Sequence, residues 1–277
     1  MNPSVYLQPA EAQAPETIKA CCVALYDSDW AALILGDSFH PGGLQLTERL
    51  GELLELEPGE RVLDVASGVG TSAIFLAQRF GCRVVGMDFA LKNIAQARAN
   101  AEEAGVDHLV CFEQADAEQL PFEDGSFDAL ISECAFCTFP SKEAAAGQFA
   151  CVLRPGGQVG LSDLIRSGTL PPELDTLMAW VACVADAQPI AEYSSILSQA
   201  GFSMGQPEIH DQALAELINQ VRGKLLVAEL MVGLKKLEVP GWVDFDQFGR
   251  LAQITAQTVD EGRLGYAIFP GVKAGGN

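Results

Sequence analysis

The sequence has little positive charge. It contains 17 lysines and arginines against 37 aspartates and glutamates, which gives a formal net charge of -20 at pH 7. A surface with so few cations repels the phosphates of DNA, of RNA and of anionic lipid headgroups. We therefore expect neither a nucleic-acid partner nor a membrane partner.

The sequence also lacks a long apolar run, and its first residues show no basic segment followed by an apolar one. Neither a membrane helix nor a signal peptide is predicted, so we expect a cytoplasmic protein. In that compartment its eight cysteines are expected to be reduced thiols. Cys134 and Cys137 are spaced as C-x-x-C, but no second pair follows at zinc-finger spacing, so no resident metal is predicted.

Apolar strand patterns alternate with helical patterns from residue 61 to residue 165. Such alternation predicts right-handed crossovers and a doubly wound, mostly parallel sheet of the α/β class. Ligands of such sheets bind outside the carboxyl ends of the strands. Asp64, Asp88, Asp116 and Cys134 all fall at predicted strand ends, and we expect them to converge on one crevice.

The segment 61–70 reads Arg-Val-Leu-Asp-Val-Ala-Ser-Gly-Val-Gly, and a helical pattern starts at Thr71. An apolar run that ends in a Gly-x-Gly loop before a helix predicts a buried strand followed by a tight turn. Glycines at positions 68 and 70 let the main chain approach a ligand closely.

This loop has three interpretations: a dinucleotide site, an S-adenosylmethionine site, or a strand–turn–helix without a ligand. Gly68, Gly70 and Ala73 satisfy the G-x-G-x-x-A fingerprint of dinucleotide sites, with Asp88 twenty residues after Gly68 for a ribose. A diphosphate at the helix N-terminus would be repelled by the neighbouring Asp64. S-adenosylmethionine carries a sulfonium and an ammonium instead, so the acid favours this cofactor.

Four segments, together with Asp88 at the end of the second strand, carry a resemblance to class I S-adenosylmethionine-dependent methyltransferases. They are the strand and loop 62–70, the segment 114–122 (Gln-Ala-Asp-Ala-Glu-Gln-Leu-Pro-Phe), Ser-Phe-Asp at 126–128 and Val-Leu-Arg-Pro-Gly-Gly at 152–157. The resemblance implies a Rossmann-like, mostly parallel, seven-stranded sheet. One departure is Ala66, where many relatives carry glycine.

The resemblance also implies how the cofactor is bound. Asp64 would face its amino-acid end, the loop amides its carboxylate, Asp88 its ribose hydroxyls, and Asp116 with the Ala117 main chain its adenine. The implied cofactor-binding residues are Asp64, Ala66, Ser67, Gly68, Gly70, Asp88, Phe89, Asp116, Ala117 and Glu133.

The patterns along the whole chain predict three regions. Residues 1–57 form an N-terminal tail and a helical lid segment, and residues 58–211 form the S-adenosylmethionine-binding methyltransferase domain. Residues 212–277 form a helical insertion and a closing strand.

The cysteines resemble those of arsenite methyltransferases. In the segment 131–142, Cys134 occupies the place of that family's invariant strand-four cysteine, and Trp180-x-x-Cys183 matches a second cysteine motif. The Cys21–Cys22 pair resembles, more loosely, the cysteines that precede the family's cofactor domain. Glu133 replaces a common asparagine, and Cys137 is an additional thiol.

Trivalent arsenic is soft and thiophilic, so thiolates are its natural ligands. Held by thiolates, it would present a lone pair to the cofactor's methyl group, and no general base would be needed. We therefore expect methylation of arsenite or a related metalloid, with a thiol reductant as co-reactant. The predicted catalytic residues are Cys134, Cys183, Cys22 and Cys21.

Two alternatives remain open. The protein could methylate a small organic metabolite, with the cysteines serving only as apolar lining. It could also bind a metalloid without turnover.

Overall fold

A computed structural model of the protein describes residues 6, 8–9, 13–26, 28–36 and 40–275. Within these residues the strands are β1 (Arg61–Val65), β2 (Arg83–Asp88), β3 (Val110–Gln114), β4 (Phe127–Glu133), β5 (Leu153–Arg166), β6 (Phe202–Met204), β7 (Glu208–Ile209) and β8 (Leu264–Lys273). The helices are α1 (Pro15–Tyr26), α2 (Asp29–Leu35), α3 (Gly43–Leu53), α4 (Thr71–Phe80), α5 (Leu91–Glu103), α6 (Lys142–Val152), α7 (Leu177–Val181), α8 (Ile190–Gln199), α9 (Asp211–Gly233) and α10 (Phe245–Asp260).

One sheet runs through the molecule in the order β3-β2-β1-β4-β5-β8-β6, with β7 also paired to β8. Strands β1 to β5 pair in parallel, whereas β8 is antiparallel to β5. The α/β fold with a mostly parallel sheet is therefore confirmed. The sheet has eight strands rather than seven because β6 and β7 are two short strands that pair with successive parts of one edge of β8.

The strand order reverses at β1, which pairs with β2 on one side and with β4 on the other. At such a point the crossover helices leave on opposite faces, so a crevice opens outside the carboxyl ends of the strands. Val62, Leu63 and Val65 of β1 are fully buried, because helices cover both faces of the sheet. The crevice therefore has a rigid floor.

Helices outside the sheet pack beside the crevice, and Lys19, Cys22 and Tyr26 of α1 line it. In α2, which the sequence did not predict, Trp30 and Ile34 pack against Leu225 and Ala228 of α9. The predicted helical insertion corresponds to α9 and α10, and the predicted closing strand corresponds to β8. The three regional boundaries remain predictions.

None of the helices in the described ranges combines the length and the apolar character that a membrane span requires.

Candidate active site

The crevice at the carboxyl ends of β1, β2 and β4 brings most of the predicted cofactor-binding residues together. Its lining includes Asp64, Ala66, Ser67, Gly68, Asp88, Phe89, Asp116, Ala117 and Glu133. Gly70 lies just behind this surface at the start of α4.

The loop after β1 is bent in a way that explains its small residues. Ala66, Gly68 and Gly70 all have positive φ, at 62°, 53° and 83°. A Cβ at Gly70 would lie 2.6 Å from the ring of Phe112. Glycine at this position is therefore required both by φ and by packing, whereas Ala66 accepts the left-handed conformation that glycine adopts more readily.

The Asp88 carboxylate links the loop after β1 to the start of α5 through hydrogen bonds. Its Oδ2 accepts a hydrogen bond from the Gly68 amide at 2.9 Å, and its Oδ1 accepts one from the Ala90 amide at 2.8 Å. The side-chain amide of Asn93 donates to the same Oδ1 at 3.2 Å. These contacts hold the carboxylate at the crevice wall, where the ribose hydroxyls are expected.

The Asp64 carboxyl is buried, and its hydrogen-bonding capacity is only partly used. Its Oδ2, like the Oγ of Ser67, has no hydrogen-bond partner within the described part of the chain. Burial raises the pKa of Asp64 well above its ordinary value, and the charges of Glu133 and Asp88 raise it further. An unpartnered acceptor beside two other acids fits the ammonium of S-adenosylmethionine and disfavours a diphosphate.

Glu133 is held by a polar group that the sequence analysis did not find. Thr47 Oγ1 donates to it at 3.0 Å and Ser72 Oγ at 2.6 Å, while His40 Nε2 lies 3.6 Å from its Oε2. His40, which no sequence motif singled out, is buried and lines the crevice. These residues come from α3, α4 and the segment before α3, so no local motif reveals them.

Lys19 of α1 is a second functional candidate that the sequence did not indicate. Its Nζ lies 2.7 Å from Asp116 Oδ2 and 2.6 Å from Glu118 Oε2. The N-terminal helix is thereby fastened to the part of the crevice where adenine is expected. Only the fold brings these residues together, because 97 positions separate Lys19 from Asp116.

The thiols of Cys134, Cys137 and Cys183 form a buried cluster at the inner end of the crevice. Cys183 Sγ lies 3.1 Å from the main-chain oxygen of Cys134 and 3.9 Å from the hydroxyl of Tyr26. Hydrogen bonds from the thiols of Cys134 and Cys137 hold the pKa of Cys183 well below its ordinary value. The same interactions and burial raise the pKa values of Cys134 and Cys137. Cys183 is therefore the thiol of the cluster that loses its proton most readily.

Two buried charges flank this cluster. The Lys142 amine donates to the carbonyl of Cys137 at 2.9 Å and pairs with Asp186, and its charge helps to lower the pKa of Cys183. Asp163 Oδ2 accepts from the Cys137 amide at 2.9 Å. Burial, and then the charge of Cys183, raise the pKa of Asp163 to about 7.

The structure separates the two N-terminal cysteines. Cys22 lines the crevice, and burial followed by the charge of Cys183 raises its pKa. Cys21 instead packs with Tyr6 and Ile18 and does not line the crevice. Of the predicted pair, the geometry therefore brings Cys22 to the site. No group of three or more His, Cys, Asp or Glu in the described ranges has an arrangement that could hold a metal ion.

Comparison with known proteins agrees with this geometry. Residues 62–157 match the family model described as a methyltransferase domain. This segment of the chain is therefore similar to a methyltransferase domain. The matched segment begins within β1 and ends within β5, so it includes Asp64, Asp88, Asp116 and Cys134 of the crevice, whereas the crevice residues of α1 lie before it.

Two relatives and one solved structure illustrate the similarity. The methyltransferase GfsG of Streptomyces halstedii is 30% identical over 171 residues, which are 61% of this chain and 62% of GfsG. The sarcosine/dimethylglycine N-methyltransferase of Halorhodospira halochloris is 28% identical over 228 residues, covering 80% and 77% of the two chains. The structure of Haemonchus contortus phosphoethanolamine N-methyltransferase 2, solved with phosphomonomethylethanolamine and S-adenosylhomocysteine, superposes with a TM-score of 0.74 at 20% identity, covering 94% and 59%.

These comparisons bear out S-adenosylmethionine as the predicted cofactor of the methyltransferase domain. The matches span 62%, 52% and 33% of the lengths of the first curated relatives. The names of these relatives do not include arsenite, so the acceptor of this chain is a matter for proposal.

Proposed function

We propose that the protein is an S-adenosylmethionine-dependent methyltransferase whose acceptor is trivalent arsenic bound to thiolates. The observation that supports this proposal is the buried cluster of Cys134, Cys137 and Cys183 at the inner end of the cofactor crevice. Soft thiolates favour a soft, thiophilic acceptor over a hard one.

The crevice residues supply binding and orientation. S-adenosylmethionine, when bound, supplies an electrophilic methyl group on a sulfonium. Asp88 would accept hydrogen bonds from its ribose hydroxyls, and Asp64 would face its ammonium. Asp116, which forms an ion pair with Lys19, would lie at the adenine of the cofactor. Together these contacts fix the direction from which an acceptor reaches the methyl group.

The thiols hold the acceptor rather than activate it. Cys183, with its lowered pKa, is the first ligand because a thiolate binds arsenic and a thiol must first lose its proton. Cys134 adds a second sulfur from the end of β4. The arsenic lone pair would form the bond to the methyl carbon as the bond between the methyl group and the sulfonium breaks and S-adenosylhomocysteine leaves. Arsenic would thereby rise from the trivalent to the pentavalent state, and the thiol reductant would return it to the trivalent state by supplying two electrons. The lone pair carries no proton, so the site needs no general base.

Cys22 would complete the set from α1. It faces the crevice but belongs to the N-terminal helix, which Lys19 fastens to Asp116 and Glu118. Closing this helix over the acceptor would bring a third sulfur to the arsenic and exclude water.

The second candidate is methylation of a small organic acceptor. It is supported by the names of the relatives, which include an N-methyltransferase of sarcosine and dimethylglycine. In that case the cysteines are lining, and serine at position 134 would leave methylation intact.

The experiment is to incubate the full chain with S-adenosylmethionine, a thiol reductant and arsenite, and then to separate the arsenic species by chromatography with mass detection. We expect methylated arsenic from the wild type and none from Cys134→Ser. Cys151→Ser is the matched control because this thiol is exposed and lies outside the crevice. Absence of methylated arsenic in the wild type would refute arsenic as the acceptor.

A further inference from the structure

A second cavity, of about 160 Å³, adjoins the cofactor crevice. It lies between α1, α2, α9 and α10 and reaches the end of β4. Tyr26 and Cys134 line both the crevice and this cavity, so the two spaces meet at the thiol cluster. The proposed arsenic chemistry needs no such space.

The cavity is apolar almost throughout. Its walls include Trp30, Ile34, Leu217 and Leu251, and its lining contains no Lys, Arg, His, Asp or Glu among the described residues. An ion entering it would lose its hydration without gaining a partner.

The few polar groups of the lining already have partners. The hydroxyl of Tyr26 donates to the carbonyl of Val181 at 2.8 Å, and that of Thr255 donates to the carbonyl of Leu251 at 2.8 Å. The thiols of Cys134 and Cys183 lie at the mouth and interact with each other. A polar ligand would therefore find few open hydrogen-bonding positions inside, whereas an apolar group needs none.

The size of the cavity narrows the class of ligand. An apolar cavity of about 150 Å³ lined by Leu, Ile and Phe stays dry and binds benzene. We propose that this cavity binds a neutral apolar group of about the size of one benzene ring, and that this group belongs to the methyl acceptor. Its reacting atom would lie at the mouth beside Cys134, in line with the crevice. The inference rests on the proposed methyltransferase function.

Fluorobenzene, followed by fluorine NMR with the full chain and no cofactor, tests the cavity directly. We expect saturable binding to the wild type and binding of benzoate at least about tenfold weaker, because a carboxylate cannot be hydrated inside. Ala252→Phe places a ring in the cavity from α10 and should weaken fluorobenzene binding at least about tenfold. Gln253→Phe, at the next and exposed position, is the control and should leave binding unchanged.

A complementary variant keeps the test valid if Ala252→Phe does not fold. Leu217→Ala enlarges the cavity and should shift the preference from fluorobenzene towards fluoronaphthalene. Equal binding of fluorobenzene and benzoate, or absence of a response to either cavity variant, would overturn the inference.

The apolar group could be a substituent on arsenic or the body of an organic acceptor. Phenylarsine oxide distinguishes the two sources because it carries the ring on a thiophilic atom. If its binding weakens both in Cys134→Ser and in Ala252→Phe, the ring is an arsenic substituent. If only Cys134→Ser weakens it, while Ala252→Phe still weakens fluorobenzene binding, the ring in the cavity belongs to an organic acceptor.

Fluorobenzene binding requires neither cofactor nor methyl transfer, so the two proposals fail separately. If the wild type methylates arsenite but does not bind fluorobenzene, only the proposed role of the cavity is wrong. If the wild type binds fluorobenzene but transfers no methyl group, the proposed function is wrong.

Discussion

Cys183 Sγ lies 3.1 Å from the main-chain oxygen of Cys134, and both residues have positive φ, at 66° and 53°. Cysteine rarely adopts this left-handed conformation, which costs about 1–3 kcal/mol at each position. Residues held in this conformation concentrate at functional sites, where the surrounding structure enforces them. The two strained cysteines meet at the junction of the crevice and the apolar cavity.

The glycine loop gives a prediction about folding. Gly70→Ala should lower the free energy of unfolding by about 1–3 kcal/mol, because the new Cβ meets the Phe112 ring and φ is positive. Gly147→Ala is the control, since this glycine lies within α6 and no atom lies within 4 Å of the position that its Cβ would take. Alanine there should be neutral or stabilising. Urea unfolding measures the free energy of unfolding of both variants. Equal stability of Gly70→Ala and the wild type would contradict the packing described for the loop.

Asp88→Asn should weaken S-adenosylmethionine binding by about 1.5–3 kcal/mol, because a charged acceptor for the ribose hydroxyls is lost. The substitution also weakens the hydrogen bond that the Gly68 amide donates to this side chain. Asp124→Asn, at an exposed position outside the crevice, is the matched control. Titration calorimetry should show the difference, and equal affinities for the two variants would remove Asp88 from the cofactor site.

Asp64 gives a prediction about pH. Its pKa is raised in the free protein, and a bound ammonium would lower it, so cofactor binding should release a proton. Affinity should then rise with pH between the bound and free pKa values of this carboxyl, and fall as the pH drops through that range.

Asp64→Asn is the control for this titration, because it retains the ionisation of the cofactor's own amine. Calorimetry in buffers of different ionisation enthalpy counts the protons released. The same proton count for the wild type and for Asp64→Asn would exclude Asp64 as the partner of the ammonium.

Lys19→Met should speed cofactor dissociation by about two- to fivefold, because α1 loses its ion pairs with Asp116 and Glu118. Stopped-flow measurement of cofactor release tests this, with the exposed Lys236→Met as control. An unchanged dissociation rate would mean that α1 does not restrain the cofactor.

The sequence predicted local elements well because their signals are local. A helix was expected to start at Thr71 and α4 starts there, and β1 and β2 end next to Asp64 and at Asp88 as their apolar patterns indicated. The carboxyl ends of parallel strands lie at the same end of a sheet, so the topology alone predicts that these acids converge.

What the sequence did not reveal depends on contacts between distant segments. The pairing of Lys19 with Asp116 and the contact of His40 with Glu133 join parts of the chain that no periodicity relates. Helix α2 is short, and its stability comes from packing against α9 rather than from its own sequence. The strain at Cys134 is likewise a property of the folded main chain.

The most direct test of the central claim is transfer of a labelled methyl group from S-adenosylmethionine to arsenite by the wild type, by Cys183→Ser and by Cys151→Ser. We expect labelled arsenic with the wild type and with Cys151→Ser. We expect none with Cys183→Ser, whose cofactor affinity should be unchanged in calorimetry. Wild-type rates of arsenic labelling with Cys183→Ser would contradict the proposal that Cys183 holds the acceptor.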